Sequence, residues 1–263
     1  EQVGILWKEL FSNYGIKIHF AHQTFNWSNE AKSNAAVHVV IIGFAQFDST
    51  NKRIFEYENI KSNAHEKSAK NINAYLVEGD DIVIEKRRKP LCNVLNIIKG
   101  NYYAKSEGLI IEEKDLDYLV KNEPNAKKWI KLLIGADEFI NNRKRYCLWL
   151  VDCPPDELRK MPLVMERVNR VREDRLKSTD KGMQNLAPIR FRETNNPDKC
   201  IVIPVVSSEK RPYIPIGFID KNTISTNGNL IIPNGDLFLF GQLTSLMHMA
   251  WVKYTCGRLK SDY

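Results

Sequence analysis

The 263 residues include 13 glycines, and no two of them are spaced Gly-x-Gly. A Rossmann-type fingerprint needs glycines that close so the backbone can approach its ligand, so that loop is excluded. A Walker-type phosphate loop is missing too. The five cysteines, Cys92, Cys147, Cys153, Cys200 and Cys256, are odd in number and never form Cys-x-x-Cys. That argues against a zinc ribbon or a disulfide scaffold and fits a reducing cytoplasm. Most sit in apolar stretches such as Tyr146-Cys-Leu-Trp-Leu150, where a small core hydrophobe is expected. The five histidines make no metal set. His19 and His22 are three apart on a strand and face opposite sides, His65 lies in a polar stretch and His248 in an apolar helix. The longest apolar runs, such as residues 37–44, are too short to span a bilayer, and no signal peptide opens the chain. The first residue is Glu, and both ends read as cut from something longer.

What is present is ordinary in bulk. Hydrophobic residues make up 43% and charged residues 27%, as in soluble globular proteins. The length suffices for one large or two modest domains. The net charge of +7 and a pI near 9.0 favour polyanionic partners, though weakly.

Val3, Leu6, Leu10 and Phe11 recur at helical spacing, and residues 13–15 end that helix. Residues 16–20 alternate as a strand. Residues 36–44 form a continuous apolar run, expected as a strand covered on both faces. Residues 53–58 read as another strand. Residues 59–74, rich in Asn, Lys, Ser and Ala, read as a linker and domain boundary. Residues 81–85 read as a strand, 113–121 and 126–134 as helical, and 145–151 as a strand. One long helix is expected over 154–177, opened by proline. Short strands follow at 200–206, 213–219, 230–232 and 237–240, with a last helix near Gln242. The expected fold class is α+β (mixed α/β).

Two fragments imitate catalytic motifs. Cys153-Pro-Pro-Asp156 is like the Pro-Pro-aromatic loop of amino-methyltransferases but lacks the flanking Asn and aromatic. Pro155-Asp156 with Lys160 is like a nuclease site, yet these residues open a helix, and capping explains them better.

The expected long helix carries Arg159, Lys160, Arg167, Arg170, Arg172, Arg175 and Lys177. Opposite them runs an apolar stripe of Leu158, Met161, Val164, Met165, Val168, Val171 and Leu176. The cations are either a phosphate ladder or a solvated face, because Glu157, Glu166, Glu173 and Asp174 offset part of the charge. Pro188-Ile-Arg-Phe-Arg-Glu-Thr-Asn-Asn-Pro197 then gathers Arg190, Arg192, Glu193, Asn195 and Asn196. In a major groove Arg reads guanine, Asn reads adenine and Glu reads cytosine. Ser207-Ser-Glu-Lys-Arg211 repeats the mix. Such loops on a β scaffold suit base reading, and they equally suit ordinary turns. Three classes stand open: a duplex reader, an interaction or scaffold domain with solvated basic faces, and a single-strand binder stacking bases on Tyr102 and Tyr103.

Several segments carry a family resemblance. They are Phe20-Ala-His-Gln-Thr-Phe-Asn-Trp27, Ala36-Val-His-Val-Val-Ile-Ile-Gly-Phe44, Gly135-Ala-Asp-Glu-Phe-Ile140, Leu148-Trp-Leu-Val-Asp152, Met161-Pro-Leu-Val-Met-Glu-Arg167, Val206-Ser-Ser-Glu209, Tyr213-Ile-Pro-Ile-Gly-Phe218, Met247-His-Met-Ala-Trp251 and Cys256-Gly-Arg-Leu-Lys-Ser-Asp-Tyr263. In this order the chain resembles the MmeI-like (type IIL/IIG) bacterial restriction–modification enzymes. The resemblance implies an S-adenosylmethionine-dependent adenine DNA methyltransferase fused to an endonuclease that uses Mg. It implies that this chain begins after the cofactor and catalytic loops and is inactive alone. Residues 1–70 would end the methyltransferase's Rossmann-like sheet. Residues 75–236 would form a β-rich target-recognition domain with a long basic helix, and 237–263 would start a C-terminal helical domain. The implied partners are double-stranded DNA and the rest of its own polypeptide, with no membrane. Phe25 or Trp27 would stack on an extruded adenine, or else pack in the core. Arg190, Arg192, Glu193, Asn195, Glu209, Lys210 and Arg211 would read bases, and Lys86, Arg87, Arg88, Arg167 and Arg170 would hold phosphates.

Overall fold

The computed structural model describes residues 2–27, 37–59 and 61–257. It divides into two compact units, residues 1–92 with 250–263, and residues 93–249. Parts of the resembling segments, Ala36 and residues 258–263, lie outside the described residues.

The first unit opens with helix α1 (Gln2–Tyr14). Its apolar spacing turns Trp7, with Val3, Leu10 and Phe11, toward a core that also holds Ile16, Ile18, Ala21 and Ile54. Gly15 ends the helix at φ +62, a left-handed conformation that glycine adopts without a Cβ clash. Strands β1 (Lys17–Trp27), β2 (Val37–Ala45), β3 (Lys52–Glu56) and β4 (His65–Ala69) form a sheet in the order β2-β1-β3-β4. Only the β1–β3 pair is parallel. Two sequence expectations change here. No residue of β2 is fully buried: Ile42 packs against the core and Phe44 meets Trp7 edge-on, while Val37, Val40 and Ile41 stay exposed among the described residues, so the run is not covered on both faces. The supposed linker contains β4, and the Ile72 and Ala74 that follow it are core residues. Its polar composition reflects an exposed edge strand. Residues 81–85 form no strand; Tyr75 Oη instead accepts the Ile84 amide at 2.8 Å.

The second unit has two sheets. One contains β5 (Ile98–Lys99), β9 (Lys199–Pro204), β10 (Gly217–Asp220) and β12 (Asn229–Pro233), in the order β10-β9-β12-β5. The other contains β6 (Ile110–Glu112), β7 (Ile130–Ile134), β8 (Arg145–Leu148) and β11 (Thr223–Ser225), in the order β11-β7-β8-β6. Residues 126–134, expected as helical, are a 3-10 turn leading into β7, which pairs on both sides. A short apolar run fits a central strand as well as a helix, and here the pairing decides. Helices α2 (Glu113–Asn122) and α3 (Ala136–Asn141) connect the strands.

The expected long helix is two helices, α4 (Pro155–Leu158) and α5 (Pro162–Leu176). Pro162 sits at the start of α5, and Met161 before it takes φ −120, ψ 80, outside the helical region. The proline ring disfavours helical geometry in the residue before it. After α5 come α6 (Lys181–Gln184), α7 (Leu237–Leu243) and α8 (Leu246–Thr255). Residues 237–240 were expected as a strand. The Asp236 carboxylate accepts the Leu239 amide at 2.8 Å and caps a helix there instead. Among the described residues no helix is long and apolar enough to cross a membrane.

Candidate nucleic-acid interface

Helix α5 is positioned from below and from its start. Val164, Val168 and Val171 are buried with Leu158 and Met161 in the larger core. Each such burial contributes roughly 1.5–3 kcal/mol before ordering entropy is subtracted. At the N-terminus the buried Glu123 carboxylate accepts the Leu163 amide at 2.5 Å and the Val164 amide at 3.0 Å. An anion there also meets the positive end of the helix dipole.

The cations of this region are less free than the sequence suggests. Arg175 continues the buried valine row and is 1% exposed. Its Nε donates to the Lys105 carbonyl at 3.2 Å, and its Nη1 to the carbonyls of Leu186 at 3.1 Å and Ala187 at 2.5 Å. Its Nη2 donates to Ser106 Oγ and to the Arg190 carbonyl, both at 2.6 Å. Burial, and then the Arg190 charge, pull its pKa below the usual guanidinium value, while Glu107 opposes them. Arg167 is half-buried and donates to the carbonyls of Ile110 at 2.9 Å and Gly108 at 3.3 Å. Arg170 is exposed and pairs with Glu166 one turn away at 3.4 Å. Arg159 pairs with Asp156 and Lys177 with Asp174. Of the α5 arginines, Arg167 and Arg175 are turned to backbone carbonyls and Arg170 to Glu166, while among the described residues Arg172 meets only the Asn169 side chain at 3.4 Å.

The segment before β9 is knitted to its surroundings. Phe191 is buried in the core, edge-on to Trp149. The Arg192 amide donates to the Tyr102 carbonyl at 3.1 Å, and the Glu193 carboxylate accepts the Tyr102 amide at 2.8 Å. Asn195 Nδ2 donates to the Lys99 carbonyl at 3.2 Å. Arg190 folds its guanidinium onto the carbonyls of Phe191 and Arg192. Arg192 projects, with an ion pair to Asp180 at 3.8 Å. In the loop between β9 and β10, Ser208 makes a turn that accepts the Lys210 and Arg211 amides. Lys210 is exposed, whereas Glu209 and Arg211 are half-buried.

The remaining sequence candidates lie elsewhere. Lys86, Arg87 and Arg88 are all exposed, in the first unit. Phe25 is half-buried and stacks on Tyr57 at 5.1 Å, while Trp27 is 46% exposed. His22 stacks on Phe55 at 4.1 Å and bonds Tyr57 Oη at 2.8 Å, which extends this aromatic group. Tyr103 packs against the core beneath Arg145, so only Tyr102 of that pair is exposed enough to stack.

Residues 78–263 match the family described as MmeI, target recognition domain, and residues 1–56 match MmeI, DNA-methyltransferase domain. The chain belongs to the MmeI family. It is 41% identical, along its whole length, to DNA methyltransferase A of Bacillus subtilis (strain 168). It is also similar to a solved structure of the Type IIL restriction-modification enzyme MmeI in complex with DNA, with 44% identity over the whole chain and a TM-score of 0.84. The chain spans 30% of the first relative and 35% of the second. This MmeI-family chain has no two glycines at the close spacing of a Rossmann-type cofactor loop.

Asn101 escaped the sequence reading. It is fully buried, its Oδ1 accepts the Asn195 amide at 2.8 Å, and its Nδ2 donates to the Asn195 and Ser225 carbonyls. Those partners are about a hundred residues away, so no local signal marks it. Arg175 did carry a signal, since it stands four residues after Val171 on the apolar stripe.

Proposed function

We propose that this chain is the duplex-reading segment of an S-adenosylmethionine-dependent, adenine-specific DNA methyltransferase fused to a Mg-using endonuclease. The methyl donor, the catalytic loop and the nuclease belong to other parts of that polypeptide. Residues 1–70 complete the methyltransferase sheet, 75–236 read the target, and 237–263 begin a helical domain. The observation that carries this is the whole-chain similarity to MmeI solved with DNA, together with exposed or projecting Arg and Lys on loops of a β scaffold.

In this reading Arg192, Glu209, Lys210 and Arg211 meet base edges. Arg190, Glu193 and Asn195, spent on backbone groups, shape the loop that presents them. Lys86, Arg87, Arg88 and Arg170 contact phosphates, and Arg167 does so only by leaving its two carbonyls. Trp27, more exposed than Phe25, is the better aromatic for an extruded adenine.

The test is Arg211→Ala in the full-length protein, with binding measured on target and random duplex over a salt series. A base reader costs roughly 1–3 kcal/mol on the target and little on random DNA. Equal weakening on both would remove Arg211 from the reading set. Wild-type binding that ignores salt would remove the phosphate contacts and the proposal with them.

A further inference from the structure

Leu186 to Asn196 contains no helix or strand, yet it is held at both ends by side chains from outside and in the middle by the Tyr102 backbone. Arg175 takes the carbonyls of Leu186, Ala187 and Arg190 at one end. Asn101 takes both the amide and the carbonyl of Asn195 at the other. Between them Phe191 is 1% exposed, and Tyr102 pairs with Arg192 and Glu193 in both directions. Beside Asn101 the chain passes so close to Thr226 that a Cβ on Gly100 would lie 2.1 Å from the Thr226 carbonyl oxygen. The anchor at Asn101 therefore sits in a crossing that only glycine permits.

A link of this length between α6 and β9 needs no such anchoring to be a turn. Fixing each residue costs about 1–2 kcal/mol of backbone entropy, and a merely connecting segment gains nothing from that. What the anchoring does achieve is to fix the one long side chain that projects. Arg190, Glu193 and Asn195 are bound to backbone groups. Among the described residues the Arg192 guanidinium has only its 3.8 Å pair with Asp180, between two side chains that are each more than half exposed. That pair is weak and exchangeable. A guanidinium fork matches the paired N7 and O6 acceptors of guanine, and the match requires the Cα to be held to a fraction of an ångström.

We propose that Arg192 is the residue of this segment that determines specificity, reading a guanine edge in exchange for Asp180, and that Arg175 and Asn101 are the positioning residues that aim it. The inference rests on the duplex-reading assignment above.

The experiment uses the full-length protein and a random-sequence duplex library, from which the wild type selects its target. Binding to the selected duplex, to its single-base-pair variants and to random duplex is then compared. Arg192→Ala is expected to lose roughly tenfold to a hundredfold discrimination at one G·C pair, with the other positions of the motif retained. Arg175→Met and Asn101→Ala are expected to lose discrimination at that same pair by at least tenfold more than they lose affinity for random duplex. A purely structural role would weaken every position and random DNA by one common factor. Should either buried variant unfold in a thermal melt, Glu193→Ala at a half-buried position loosens the same segment, and Glu193→Gln, which keeps an acceptor for the Tyr102 amide, restores selectivity. If Arg192→Ala leaves the motif intact, or the positioning variants keep full discrimination at its pair, the inference falls while duplex reading stands. If the wild type selects no sequence, the assignment beneath it falls, and the inference falls with it.

Discussion

Arg175→Met removes five hydrogen bonds at once and leaves an apolar side chain of similar reach among polar groups. The carbonyls of Lys105, Leu186 and Arg190 and the Ser106 hydroxyl lose the donor that Arg175 supplies, while the Ala187 carbonyl keeps the Arg190 amide at 3.3 Å. Each dry, unpartnered group costs about 1–3 kcal/mol. Against this, the variant no longer keeps a guanidinium out of water, a relief of several kcal/mol. Among the described residues no carboxylate pairs with Arg175, whose partners are four carbonyls and a hydroxyl, so that relief does not also abolish an ion pair. The first effect is larger because three carbonyls and a hydroxyl are stranded, and the net loss is about 3 kcal/mol. For a unit of this size that corresponds to a fall of roughly 6–12 °C in Tm. Arg175→Lys is expected to be no milder, since an ammonium keeps the burial cost and cannot fork to acceptors on several sides. Urea unfolding followed by tryptophan fluorescence measures both. A neutral or stabilising Arg175→Met would mean that charge burial outweighs the hydrogen bonds, and that the segment after α6 holds its shape without the clamp.

Other expectations follow from the thiols. In the native protein a thiol reagent should label Cys92 and Cys256, which are exposed, and spare the buried Cys147, Cys153 and Cys200 until the chain unfolds; quick labelling of all five would contradict the core packing. Burial pushes the Cys147 thiol up to about 12 and the Cys200 thiol up to about 11. The unfolded chain releases these protons first as pH rises, so it binds fewer protons than the folded one and stability falls. The loss starts near the ordinary thiol value and approaches about 1.4 kcal/mol per pH unit per thiol until each folded value is reached. Cys200→Ala should flatten part of that slope between pH 9 and 10.5 in urea midpoints, and an unchanged slope would count against the assigned cause.

The sequence revealed some of this architecture and hid the rest for physical reasons. Helix α1, strand β9 and the core cysteines were legible because apolar spacing and burial agree locally. Strand β7 was misread as helical because its pairing partners, Arg145 to Leu148 and Thr223 to Ser225, are not visible in a local window. The break at Pro162 was readable from the proline alone, had the helix-opening Pro154 and Pro155 not drawn the boundary earlier. Composition left Arg190 to Asn196 open between a reading loop and an ordinary turn, and it could not separate a projecting Arg192 from Glu193 and Asn195, whose side chains bond to the backbone of Tyr102 and Lys99. Those bonds join positions more than ninety residues apart, and only the fold brings them together.

Whether this chain reads duplex sequence is decided by selection from a random duplex library with the full-length protein. A duplex reader enriches one short motif, containing at least one G·C pair lost in Arg192→Ala, with affinity falling steeply as salt rises. Recovery of unenriched sequence, or of no DNA at low salt, would contradict duplex reading.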